Sequence, residues 1–154
     1  MDDTLGQLAV LLEADVDDRL LAATLWSHAG SRREQIYVHA KVEIVDDYWL
    51  SIGSANLNNH SLFNDSEVNV VTCDHDLAQS TRHRLWAEHL ETSIDEVRGD
   101  PTAIIEERWK PIAEEQLRLR EANRPTTHRL VELPGVSKRS KRLIGPIQNL
   151  FVDG

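Results

Sequence analysis

At 154 residues the chain has the length of one ordinary domain with a real hydrophobic core, since domains cluster at about 100–150 residues. Hydrophobic residues are 40% and charged residues 28% of it, close to ordinary globular usage, which argues against wholesale disorder and against a membrane-embedded fold. Asp and Glu number 26 against 17 Lys and Arg, and the formal net charge of -9 repels polyanions, so nucleic acid is disfavoured as a partner unless a local basic patch overrides that field.

The amino terminus, Met1-Asp2-Asp3-Thr4, lacks a basic leader region, and no apolar run approaches the ~20 residues that a membrane helix requires, so the chain as written is expected in the cytoplasm. Leu5, Leu8, Leu11 and Leu12 recur at helical spacing and predict a short amphipathic helix over 4–14, ahead of the acidic turn at 15–18. The continuous apolar run from Leu20 to Trp26 reads as a buried strand, and Ser27 to Glu34 as a polar loop. Ile36 to Val45 and Trp49 to Ile52 read as two strands joined by the tight polar connection Asp46-Asp47-Tyr48. The segment from Gly53 to Ser66, rich in Asn, Ser and Asp, is loop, and Glu67 to Cys73 is a β-branched strand with Cys73 buried in it. As the only cysteine, Cys73 cannot form an internal disulfide.

Asp74 or Asp76 is suited to cap a helix running to about Glu91, with Leu77, Leu85, Trp86 and Leu90 on its inner side. Asp100-Pro101 opens a further helix whose apolar stripe is Ile104, Ile105, Trp109 and Ile112, and Pro111 should kink it. The four tryptophans, Trp26, Trp49, Trp86 and Trp109, could form a lipid-interface belt, but they fall on apolar stripes and strands, and core packing is the expectation for most of them. From Arg124 the chain turns to Pro, Gly and basic residues. The cluster Lys138 to Arg142 reads as a solvated surface, with contact to anionic lipid headgroups as the functional reading.

The chemistry concentrates in residues 39–56. His39 and Lys41 stand two positions apart; on a strand such residues share a face, so an imidazole and an ammonium would meet one substrate group. Asn56, from the loop after the second strand, can add an amide donor, and Lys41 with Asn56 would stabilise the charge that builds on the non-bridging oxygens of a phosphodiester. No carboxylate or His/Cys cluster has divalent-metal spacing, so neither metal nor other cofactor is expected.

His39-x-Lys41-x4-Asp46 followed by Gly53-Ser54-x-Asn56 resembles the HxKxxxxD…GSxN motif of the phospholipase D superfamily at all six fixed positions. The likeness extends over roughly residues 19–91 and looks like the second half of bacterial phospholipase D and cardiolipin-synthase-like proteins. It implies an α/β fold, a mixed β-sheet flanked by helices, organised as a partial phosphodiesterase domain over 1–98 and a helical, basic extension over 99–154. It also implies that His39 attacks phosphorus to give a phosphohistidine, while the histidine of a second motif protonates the leaving group. Glu67 is the implied orienter of the imidazole, and Ser54 and Asp46 are supporting residues, Ser54 near the phosphate and Asp46 holding the turn.

Two departures stand out. Family members often carry Arg-Ser shortly after GSxN, where this chain has Asn59-His60-Ser61. The larger departure is that only one motif is present, because none of the other six histidines is followed by Lys two residues later. With 38 residues ahead of His39, the expectation is the carboxy-terminal half of a two-motif enzyme, as a fragment, a truncated product or part of a split protein. The expected function is a phosphodiesterase acting on glycerophospholipids by hydrolysis or phosphatidyl transfer. Its expected partners are the phospholipid, a second half bearing the motif, and a membrane surface touched peripherally. The alternatives are a dimeric nuclease of the superfamily and a non-catalytic remnant or interaction module.

Overall fold

A computed structural model of the protein describes residues 21–27, 34–56, 61 and 63–133. The expected helix over 4–14, the start of the first strand at Leu20, the Asn59-His60 departure and the basic cluster at 138–142 lie outside the described residues. The described chain combines strands and helices, the expected α/β class, and its strands form two antiparallel three-stranded sheets. Among the described residues no helix is long and apolar enough to cross a membrane.

The first sheet has the order β2-β1-β6, with β1 at Ala23–Trp26, β2 at Gln35–Ile36 and β6 at Leu130–Glu132. Strand β1 is central: Leu25 pairs with Ile36 on one side and with Leu130 on the other. The second sheet has the order β3-β4-β5, with β3 at Lys41–Val45, β4 at Trp49–Gly53 and β5 at Asn69–Thr72. Its registers run Lys41–Gly53–Asn69, Glu43–Ser51–Val71 and Val42–Ile52–Val70 across the three strands.

The single strand expected over 36–45 is therefore two strands in two different sheets. Hydrogen-bond partners change from β1 to β4 between Ile36 and Lys41, so residues 37–40 belong to neither ladder. Periodicity in a sequence reports the face a side chain takes, not which neighbour its backbone pairs with, and the break escaped the sequence for that reason.

Helix α1 spans His75–His89, and Asp74 caps it by accepting from the Leu77 N–H at 3.0 Å. Its buried residues are Ala78, Arg82 and Ala87, while Leu77, expected inside, is exposed. Ala78, Arg82 and Trp86 recur every four residues and define the inner stripe; Leu77 lies about 100° off Ala78. A 3-10 turn at Ile94–Val97 follows. Asp100 then caps α2, Pro101–Ile104, by accepting from Ala103 N–H at 2.9 Å, with Pro101 in the first turn where its missing N–H costs nothing.

The helix continues through a π-helical turn, Ile105–Trp109, into α3, Lys110–Glu121. Pro111 has no N–H to give and its ring would meet the carbonyl four residues back, and the Lys110 N–H reaches Ile105 instead, five residues back. A widened turn thus stands just before the proline, where the kink was expected. The core gathers Ala87, Leu90, Val97, Ile104, Ala113 and Leu130, with Leu25, Trp86, Trp109 and Ile112 packed against it. Trp86 and Trp109 meet edge to face at 5.5 Å, and Trp26 lies under the Arg120 guanidinium at 3.5 Å, so three of the four tryptophans serve packing.

Two further expectations change. Cys73 is exposed, because β5 ends at Thr72 and the cysteine sits between that end and the α1 cap. Strand β6, within the stretch read only as Pro, Gly and basic, buries Leu130 and Val131 and pairs with β1.

Candidate active site

His39 lies in the crossing between the two sheets and is exposed. Its ring stacks on that of Tyr37, with centroids 5.7 Å apart and planes at 24°. Contact between residues two apart is what extended backbone allows, since alternate side chains fall on one side. Lys41 opens β3, and its Nζ donates to the His39 carbonyl oxygen at 3.0 Å. An ammonium has three N–H donors, so this bond fixes the head beside His39 with donors to spare for an anion. On the Lys41–Gly53–Asn69 row the Asn69 amide donates to Ser51 Oγ at 3.1 Å, and Ser51 is buried in the sheet.

The other end of the β3–β4 hairpin is a tight turn. Tyr48 N–H donates to Val45 C=O at 3.0 Å, and Asp46 and Asp47 between them take φ of 53° and 52°, the paired positive values of a type I′ turn, which aspartate tolerates better than most residues. Asp46, the expected support, is one of the two exposed or half-exposed residues at its tip. The carboxylate that ties the turn down is its neighbour. Arg82 Nε donates to Asp47 Oδ1 at 2.5 Å and Arg82 Nη2 to Oδ2 at 2.7 Å, a bidentate bridge almost wholly out of water.

Hydrogen bonding by Arg82 outweighs partial burial and holds the Asp47 carboxyl below its usual range. The same guanidinium lies over the Trp86 ring at 4.6 Å. Burial first, and Arg82 second, push the adjacent His83 imidazole down. Sequence reasoning missed this tie because an arginine is usually read as exposed. The signal present was its place on the Ala78–Arg82–Trp86 stripe.

Ser54, Asn56 and Glu67 belong to a different compact unit, which includes residues 54–68, whereas His39, Lys41 and Asp46 belong to the unit of residues 22–53 and 69–133. Within the former, Ser54 Oγ donates to the Glu67 carboxylate and accepts from Val68 N–H at 3.0 Å, while the Ser54 N–H donates to the Val68 carbonyl at 3.1 Å. Ser54 therefore closes the base of the loop with both its backbone and its hydroxyl. The Asn56 amide donates to Ser61 Oγ at 3.5 Å, and Ser61 is buried. The structure thus brings together His39 with Lys41, and Ser54 with Glu67. Tyr37, like Asp47 and Arg82, is a neighbour of motif residues that the sequence reading passed over.

Comparison with known proteins agrees with the motif. The chain is 35% identical over 95 residues to phospholipase D zeta 2 of Arabidopsis thaliana, a match covering 51% of this chain and 9% of that protein. It is 46% identical over 74 residues to phospholipase D C of Dictyostelium discoideum, covering 44% of this chain and 4% of that protein. To phospholipase D1 of Schizosaccharomyces pombe it is 40% identical over 91 residues, covering 46% and 7%. The chain thus spans less than a tenth of the length of these three relatives. The family model described as Phospholipase D matches residues 12–127, most of the chain, and the protein belongs to the phospholipase D family.

Proposed function

We propose that this chain is one half-site of a phosphodiesterase that acts on glycerophospholipids through a phosphohistidine at His39, by hydrolysis or phosphatidyl transfer. The observation that carries the reading is the pairing of an exposed imidazole at His39 with the Lys41 ammonium hydrogen-bonded to its backbone, inside a complete HxKxxxxD…GSxN pattern. A neutral ring nitrogen of His39 attacks phosphorus as the bond to the leaving oxygen breaks. Lys41 and Asn56 take up the charge on the non-bridging oxygens. Glu67, held by Ser54, is the candidate acceptor for the other ring nitrogen.

In-line displacement places the leaving oxygen on the side of phosphorus opposite the nucleophile. A group beside His39 cannot protonate it there, and a second histidine from another half must do so before it activates water or an alcohol. A phospholipase D or cardiolipin-synthase-like assembly with peripheral membrane contact meets this need. The carboxylate excess weighs against the nuclease alternative.

The test uses a leaving group that needs no proton. A diacylglycerophospho-4-nitrophenol presented in mixed micelles loses nitrophenolate directly, so half a site suffices for the first step. A burst of nitrophenolate approaching one equivalent, with a phosphatidyl adduct on the His39 peptide by mass spectrometry, is expected. The His39→Gln variant should give neither. Equal labelling of both proteins would overturn the reading, and adduct from bis(4-nitrophenyl) phosphate but not from the lipid would remove the glycerophospholipid from it.

A further inference from the structure

Tyr37 is a large aromatic residue 80% exposed to solvent, so packing does not account for it. Among the described residues, the ring contact it makes is the stack on His39. Residues 37–40 sit outside both ladders, which leaves the backbone under the imidazole without the ladder hydrogen bonds that hold Lys41. The χ2 torsion of histidine is broad, so a ring on such a segment sweeps many planes unless something backs it. The Glu67 carboxylate, the orienter expected from the motif, accepts from Ser54.

From this geometry we infer that Tyr37 is a positioning residue: its ring backs one face of the His39 imidazole and sets the plane in which the two ring nitrogens lie. The inference rests on the reading of His39 as nucleophile. A centroid separation of 5.7 Å is within the range of attractive aromatic pairs. Stacking covers a face and leaves the edge open, and both imidazole nitrogens are on the edge. At 5.7 Å and 24° the two rings are offset, so Tyr37 flanks part of one imidazole face while His39 as a whole stays exposed. Lys41 fixes the same residue from the backbone side through its bond to the His39 carbonyl. Backbone and ring plane are thus held by residues two positions to either side.

Two measurements on the full chain test this. In the nitrophenyl-lipid reaction, Tyr37→Ala is expected to slow adduct formation at saturating lipid about tenfold, with the half-saturating concentration unchanged within about twofold, the pattern of lost orientation and not lost binding. Tyr37→Phe keeps the ring and should restore the rate. In proton NMR the His39 ring protons, assigned by their loss in His39→Gln, should lie upfield in wild type and Tyr37→Phe and move downfield in Tyr37→Ala. A Tyr37→Ala rate equal to wild type, or ring protons that do not move, would overturn the inference. Failure of wild type to form any adduct strikes the functional reading instead, and the ring-proton comparison still decides the stack.

Discussion

Within the unit of residues 22–53 and 69–133, the β3–β4–β5 sheet and the helical stretch after it are built to opposite ends. The helical stretch, with β6, encloses a core in which Val97, Ala113 and Val131 are fully buried. The sheet carries Lys41 and is unevenly packed: Leu50 and Ser51 of β4 are buried, while on the Val42–Ile52–Val70 row Ile52 is 48% and Val70 73% exposed. Among the described residues of this unit the deepest apolar burial lies in the helical stretch and β6, while His39 is exposed and Lys41 half-buried.

The sharpest break in that comparison is at the motif. Lys41→Ala should lower the rate of His39 adduct formation by roughly 100- to 1,000-fold, the scale of a lost oxyanion donor, and should move the urea midpoint by no more than about 0.5 kcal/mol of stability. Large kinetic loss with little unfolding is the signature expected of the sheet. Equal losses in both would mean that the lysine holds structure.

Arg82→Leu tests the bidentate tie between the two regions, which Gln79 Nε2 supplements by donating to Asp47 Oδ2 at 3.4 Å. It leaves the largely buried Asp47 carboxylate without its bidentate partner, and removal of one member of a buried pair costs about 3–5 kcal/mol. Equilibrium urea unfolding measures it, and Asp47→Asn in the Arg82→Leu background should cost less than the single changes summed. The hairpin that carries Lys41 turns at Asp47, so this variant should also slow adduct formation, unlike a change deep in the helical core. Leu130→Ala is that control: a cavity there costs about 2–5 kcal/mol, with the adduct rate per folded molecule unchanged.

These residues also show what the sequence could reveal. Caps and turns are local, so Asp74, Asp100-Pro101 and the Asp46-Asp47-Tyr48 connection were legible and took the form expected. The motif was legible because its six positions are fixed in spacing. Pairing partners are not local: the break between Ile36 and Lys41 and the three-residue β6 depend on strands far off in the chain. Arg82 was hidden by its charge, although its four-residue interval from Ala78 and Trp86 marked it, and Cys73 was misplaced by one residue at a strand end.

A smaller effect checks the helix cap. Asp74→Ala removes the acceptor of the Leu77 N–H and should cost about 1 kcal/mol, seen as a lower thermal midpoint. Asp74 joins β5 to α1, so the loss falls on the boundary of the two regions and should leave the Arg82–Asp47 coupling intact.

The mildest prediction concerns pH, and it too separates the regions. His89, in the last turn of α1, meets Trp109 edge on at 5.9 Å, and burial lowers its pKa, only partly offset by Glu88. A helix carboxyl end favours a cation by about 0.3–1 kcal/mol, yet the direction is downward, so desolvation wins. A histidine whose folded pKa is below its unfolded value of 6.5 is destabilised by protonation, so its contribution is complete above about pH 6.5 and is lost as pH falls from there to the folded pKa. The Asp47 carboxyl, also lowered, loses its contribution only further down, below the ordinary aspartate value of 3.8. Urea midpoints measured from pH 8 to pH 5 should therefore drift downward, His89 in the helical core and His83 beside Arg82, whose pKa is also lowered, both contributing. A His89→Gln variant should reduce that drift and leave the share due to His83, and an unchanged slope would place the titrating group outside the helical core.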